Sequence, residues 1–85
     1  MAYAETPETL GQHLRRRRIQ AGLLQREVAV QLGAGVYTYL LWERDRTMPR
    51  SGYYPAIFDF LGYDPFPAAR SLAEEIRAKR RQLGL

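Results

Sequence analysis

Eighty-five residues without a cysteine make one small domain, and at this length stability depends on close helix packing or on a partner. With no thiols, neither disulfides nor thiolate metal sites brace the fold, which points to a reducing compartment. No apolar run reaches the roughly 18 residues of a membrane span, and the start MAYAETPE lacks the basic-then-apolar order of a signal peptide. The sequence therefore reads as a cytoplasmic protein with a native start at Met1 and no membrane contact. Its net charge of +4 is unevenly spread, because Arg15 to Arg50 holds eight arginines against Glu27, Glu43 and Asp45. Such a block fits a polyanion, usually nucleic acid, although a solvated basic face produces the same run.

The predicted elements are all helical, since no segment keeps the period-2 alternation of a strand. Residues 1–8 read as an N-terminal arm. Thr9 with Gln12 forms a capping box ahead of LGQHLRRRRIQA, and Gly22 stands where a left-handed cap would end that helix, giving a first helix over 9–21. Its core stripe is Leu10, Leu14 and Ala21. Four consecutive arginines at about 100° per residue cannot all face solvent, so Arg18, four beyond Leu14, lies near the core. Gln25 to Leu32 reads as a second helix with Val28, Ala29 and Leu32 inward, broken by Gly33-Ala34-Gly35. A third runs from Val36 to Trp42. ERDRTMPRSG is a loop, and YYPAIFDFLG a fourth helix that buries Ile57, Phe58 and Leu61, with Pro55 tolerated in its first turn. Two prolines in YDPFPAAR mark a linker. Ser71 with Glu74 opens a last helix with Leu72, Ile76 and Leu83 along one side. This linker and helix, 66–85, repeat an earlier segment: at an offset of 62, Ser71–Leu85 aligns with Thr9–Leu23 through shared Leu, Arg, Arg, Gln, Gly and Leu. The copy is open to docking on the domain, pairing with a second chain, or opening a further unit.

Residues 25–43 meet the requirements of a helix-turn-helix: a small residue, Ala29, where two helices cross closely, a turn glycine, Gly33, four later, and an apolar set of Val28, Leu32, Tyr39 and Trp42. An ordinary three-helix bundle meets the same spacing. The stretch LRRRRIQAGLLQREVAVQLGAG, the Trp-Glu pair of LLWERDRTMPR and the Leu-Gly of IFDFLGYDP resemble the lambda-repressor-like (Cro/repressor-type, XRE) helix-turn-helix family over about residues 9–65.

That resemblance implies an all-α, compact four- to five-helix domain with a helix-turn-helix at 25–43 and an additional C-terminal helix. Its third helix would enter the major groove of double-stranded DNA. By matching position it implies base-facing roles for Val36, Tyr37, Thr38 and Leu41, and phosphate contacts for Gln25, Arg46 and Arg50. It also implies a structural ion pair between Arg18 and Glu43, with Trp42 in the core. A homodimer on palindromic sites and regulation of transcription, in the cytoplasm of a bacterium or phage in association with the nucleoid, follow from the same resemblance.

The sequence departs from the family pattern at two caps and within the third helix, where Tyr39 also replaces a smaller aliphatic at the crossing. Leu24 and Gly35 stand where cap hydroxyls are usual. VYTYLLWE lacks the Arg, Asn or Gln that makes bidentate base contacts, so readout is expected to be weak or AT-leaning. Leu40 and Leu41 beside two tyrosines also fit an apolar face for a protein partner. No catalytic, metal or cofactor site is expected. His13 stands alone and reads as solvated, Gly33-Ala34-Gly35 lacks the Gly-Lys-Ser/Thr ending of a phosphate loop, and no nucleophile or carboxylate pair is recognisable. Tyr53, Tyr54 and Phe58 read as core or interface at helical spacing before a base-stacking platform.

Overall fold

Helix signals at each end of the amphipathic segments set the architecture. A computed structural model of the chain describes residues 7–66 and 72–84. Among them are five α-helices and no strand: α1 Leu10–Ala21, α2 Gln25–Leu32, α3 Val36–Glu43, α4 Tyr54–Leu61 and α5 Leu72–Leu83, with one 3₁₀ turn, Ser51–Tyr53, leading into α4. At the start of α1 the Thr9 hydroxyl accepts from the Gln12 amide at 3.1 Å. The Gln12 side chain accepts in turn from the Glu8 amide at 2.7 Å, one residue earlier than a capping box places it.

The far end of α1 corrects the expected core stripe. Leu10 and Leu14 are buried, but Ala21 is exposed. The chain reverses at Gly22, with the Leu23 amide donating to the Arg18 carbonyl at 3.0 Å, and Leu23 packs on the core instead of Ala21. The α2–α3 turn uses the same device. Gly33 has φ 75° and the Ala34 amide reaches the Ala29 carbonyl at 2.9 Å, a left-handed position that a side chain would strain.

Val28, Ala29, Leu32, Tyr39, Trp42, Tyr54, Ile57 and Leu61 complete the core. α3 packs on α1 and α2, and α4 covers α1 and α2 from the other side. Of the aromatic residues in and before α4, Tyr54 is buried while Tyr53 and Phe58 are half-buried, Phe58 packing against Tyr54 and Phe66 rather than closing the core.

α5 docks on its own domain, against α4 and the 3₁₀ turn. The Arg81 guanidinium sits 4.0 Å from the centre of the Phe66 ring. α5 also ends as α1 does, with Gly84 at φ 74° against Gly22 at φ 70°. Leu83 is exposed. The Leu72 and Ile76 side chains, the Ser71–Glu74 capping box and most of the 1–8 arm lie outside the described residues.

One close approach was not legible in the pattern. A Cβ at Gly11 would lie 2.8 Å from the Glu43 carbonyl oxygen and 2.6 Å from Asp45 Oδ1, and nearer still to the Trp42 carbonyl. Only a glycine lets α1 rest on the end of α3. Gly→Ala inside a helix ordinarily stabilises by about 0.5–1 kcal/mol, whereas forcing atoms into a packed interior costs about 1–3 kcal/mol. The clash with backbone decides the sign, so Gly11→Ala should lower the urea midpoint and the Tm, as denaturation followed by circular dichroism would show.

Candidate nucleic-acid interface

The position of α3 is set by charge. Arg18 and Glu43 form a two-point ion pair, Nε to Oε2 at 2.5 Å and Nη2 to Oε1 at 3.1 Å, and the third guanidinium nitrogen donates to the Leu23 carbonyl at 3.3 Å. The arginine side chain is 16% exposed and the glutamate 4%, so the carboxylate is the member without access to water. Hydrogen bonding to Glu43 holds the Arg18 pKa above its ordinary value, against the opposing effect of burial. Tyr39 packs beside the pair, and burial first, then the Glu43 carboxylate, push its phenol well above the usual range.

Gln25, expected at a phosphate, has its amide turned to this network, with Nε2 donating to Glu43 Oε1 at 3.3 Å. Its side chain therefore belongs to the support of α3 in this structure. The neighbouring helix start, where Leu24 brings no cap hydroxyl, is closed by Glu27, whose Oε1 accepts from the Leu24 amide at 2.8 Å. The signal for that contact is a glutamate three residues into the helix.

On the outer side of α3, Val36, Tyr37 and Thr38 are exposed, Tyr37 by 70%, while Leu40 and Leu41 are half-buried. Gly35 provides no side-chain cap for the first amides of α3. One cation joins this face that the sequence reading omits. Arg44 is exposed, seven residues from Tyr37 and three from Leu41, and helical spacing alone puts it on their side.

The loop after α3 is anchored at its root. Asp45 adopts a left-handed conformation at φ 57°, and its carboxylate accepts from Thr9 Oγ1 at 2.8 Å and from the Gly11 amide at 3.1 Å. Arg46 and Arg50, both exposed, thus leave a backbone tied to α1. A surface depression lined by Thr38, Trp42, Thr47, Met48, Arg50 and Tyr53 lies where α3 meets this loop. Trp42 forms its buried floor, edge-on to Tyr53 at 4.9 Å. Thr38, a base-facing candidate, and Arg50, a phosphate-facing one, therefore share one depression.

His13 is corrected from a solvated position to a half-buried one. Its Nδ1 lies 2.7 Å from the Tyr63 hydroxyl, and burial, then Arg16, lower its pKa. Among the described residues no group of three or more His, Cys, Asp and Glu is placed to hold a metal, and no helix is long and apolar enough to cross a membrane.

A family model described as a helix-turn-helix domain matches residues 9–70. The chain belongs to the helix-turn-helix domain family, in agreement with its lambda-repressor-like resemblance. Comparisons with curated proteins and with solved structures returned no match.

Removing one partner of a buried pair costs about 3–5 kcal/mol because the other charge is stranded, whereas removing both is close to neutral. Since Glu43 is the member without solvent, Arg18→Met should destabilise strongly, and Arg18→Met with Glu43→Leu should recover much of the loss. Urea unfolding of the two variants checks this order.

Proposed function

We propose that the chain binds double-stranded DNA, with α3 in the major groove, and that it regulates transcription. The observation that supports this most is the continuity of the exposed α3 face with the arginine loop. Val36, Tyr37, Thr38 and the exposed part of Leu41 face outward beside Arg44, and Arg46 and Arg50 flank them on an anchored backbone. Family membership supports DNA as the partner. In this reading Arg46 and Arg50 neutralise phosphates, with Arg50 and the Thr38 and Thr47 hydroxyls around one depression. The half-buried Gln25 side chain contributes through its hold on Glu43, and a phosphate contact from that helix start falls to its backbone.

The reading face is apolar. Val36 and Leu41 suit thymine methyl groups, and Tyr37 and Thr38 offer hydroxyls in place of a bidentate amide or guanidinium. The sequence preference is accordingly weak and AT-leaning, and most of the affinity is electrostatic. A homodimer reading two half-sites in the cytoplasm, with no catalytic role, completes the proposal.

A second reading rests on one observation. Val36 at 51%, Tyr37 at 70% and Met48 at 57% exposure give this side of the molecule a greasy surface, which fits a protein-binding module. The two separate by salt. If phosphates are bound, the logarithm of affinity falls linearly with the logarithm of salt, and each lost contact reduces the slope by about 0.9. Arg50→Ala should then weaken all duplexes alike and flatten the slope by about one contact, as fluorescence anisotropy on selected and scrambled duplexes would measure. Failure of the chain to retain any duplex from a random pool at low salt would leave the protein-binding reading.

A further inference from the structure

The copy of α1 at the chain end brings a second group of cations beside the arginine loop. α5 packs on α4, and its end abuts the 3₁₀ turn: a Cβ at Gly84 would lie 3.0 Å from Pro55 Cγ and 3.6 Å from the Ser51 carbonyl oxygen. Arg50 is the residue before Ser51 and caps that turn, its carbonyl accepting from the Tyr53 amide at 3.0 Å. Arg80 lies four residues before Gly84, about 6 Å back along the axis. It therefore stands one helical turn from the place where Arg50 leaves the domain. Arg77, Lys79 and Arg80 are all exposed.

Two facts separate these residues from ordinary helix-end cations. Arg81, next to Arg80, is half-buried and engaged with Phe66, as a docking contact should be. Arg80 occupies the position that Arg18 holds in the first copy, where the guanidinium is spent on Glu43. In the second copy it is exposed and makes no ion pair among the described residues. The repeated helix keeps the arginine and turns it outward.

We propose that α5 is a second phosphate-contacting element, in which Arg80, flanked by Lys79 and Arg77, binds the DNA backbone beside the phosphate held at Arg50. This rests on the DNA-binding reading above. The partner follows from charge complementarity: α5 carries three exposed cations and ends against the turn that follows Arg50, adding them to the two of the loop, and a duplex carries a phosphate every few ångströms along it. α5 thus widens the footprint and raises affinity for every sequence without reading bases.

The test measures duplex binding by the full chain across a salt series, with Arg80→Gln and the double variant Arg80→Gln, Lys79→Gln. Arg17→Gln is the charge-matched control, since Arg17 sits at the opposite end of α4, donating to the Phe60 carbonyl at 3.1 Å. Thermal melts confirm that each variant is folded. The single variant should flatten the salt slope by about 0.9 relative to the control and the double variant by up to about 1.8, equally on selected and scrambled duplexes. A role limited to offsetting the helix dipole would change the melts and leave the slope as it is. A wild type that binds duplex while both variants keep its slope and affinity overturns the proposal alone. A wild type that binds no duplex overturns it together with the reading beneath it.

Discussion

The contact between Arg18 and Glu43 is the constraint on which the interface depends. α3 is eight residues long and begins without a cap oxygen, and a helix of that length has little stability of its own. Its orientation comes from what holds its ends. At the C-terminal end the buried Glu43 carboxylate is met by two nitrogens of Arg18 and the amide of Gln25, so α1, α2 and α3 converge on one carboxylate. A two-point guanidinium contact fixes direction as well as distance. The face that carries Tyr37 and Leu41 is aimed by a charge held on the buried side of the same helix.

A second tie, immediately after the first, carries that aim into the loop. Asp45 closes the start of α1 from outside by accepting from Thr9 and Gly11, and Gly11 is there because any side chain would strike the end of α3. α1 thus grips α3 through Arg18 near its own end and through Gly11 at its start. Between these grips Trp42 and Tyr39 are buried. Arg44 lies between the two ties, Arg46 and Arg50 follow the second, and α5 meets the chain at the 3₁₀ turn after Arg50. The cations of the proposed interface come from segments far apart in sequence, the loop tied to α1 and α5 docked on α4 and the 3₁₀ turn.

Much of this was legible in the sequence, and the reasons differ by feature. The spans of α2 and α3 followed from periodicity and from Gly33. The inward turn of Arg18 followed from simple angular arithmetic on four consecutive arginines. Ala21 misled because periodicity continues past the point where the chain actually reverses, and Leu23, beyond the glycine, takes its place. Gly11 and Asp45 were silent because their shared hydrogen bond, from the Gly11 amide to the Asp45 carboxylate, joins residues 34 apart, a distance no local pattern spans. Gln25 was placed by position alone, while its amide obeys the nearest buried acceptor. His13 found Tyr63 through tertiary contact, for which a lone histidine gives no signal. Arg44 lay in plain view at helical spacing, hidden only by ending the third helix at Trp42.

The central claim is that one face, built from α3, the loop after it and the end of α5, meets duplex DNA. Amide chemical-shift mapping of the full chain with a short AT-rich duplex at low salt tests it most directly. The account predicts shifts concentrated at residues 24–26, 36–41, 44–50 and 77–80, with the amides of residues 13–17 and 57–61 left nearly unchanged. Shifts absent throughout, or confined to those last two stretches, would contradict it.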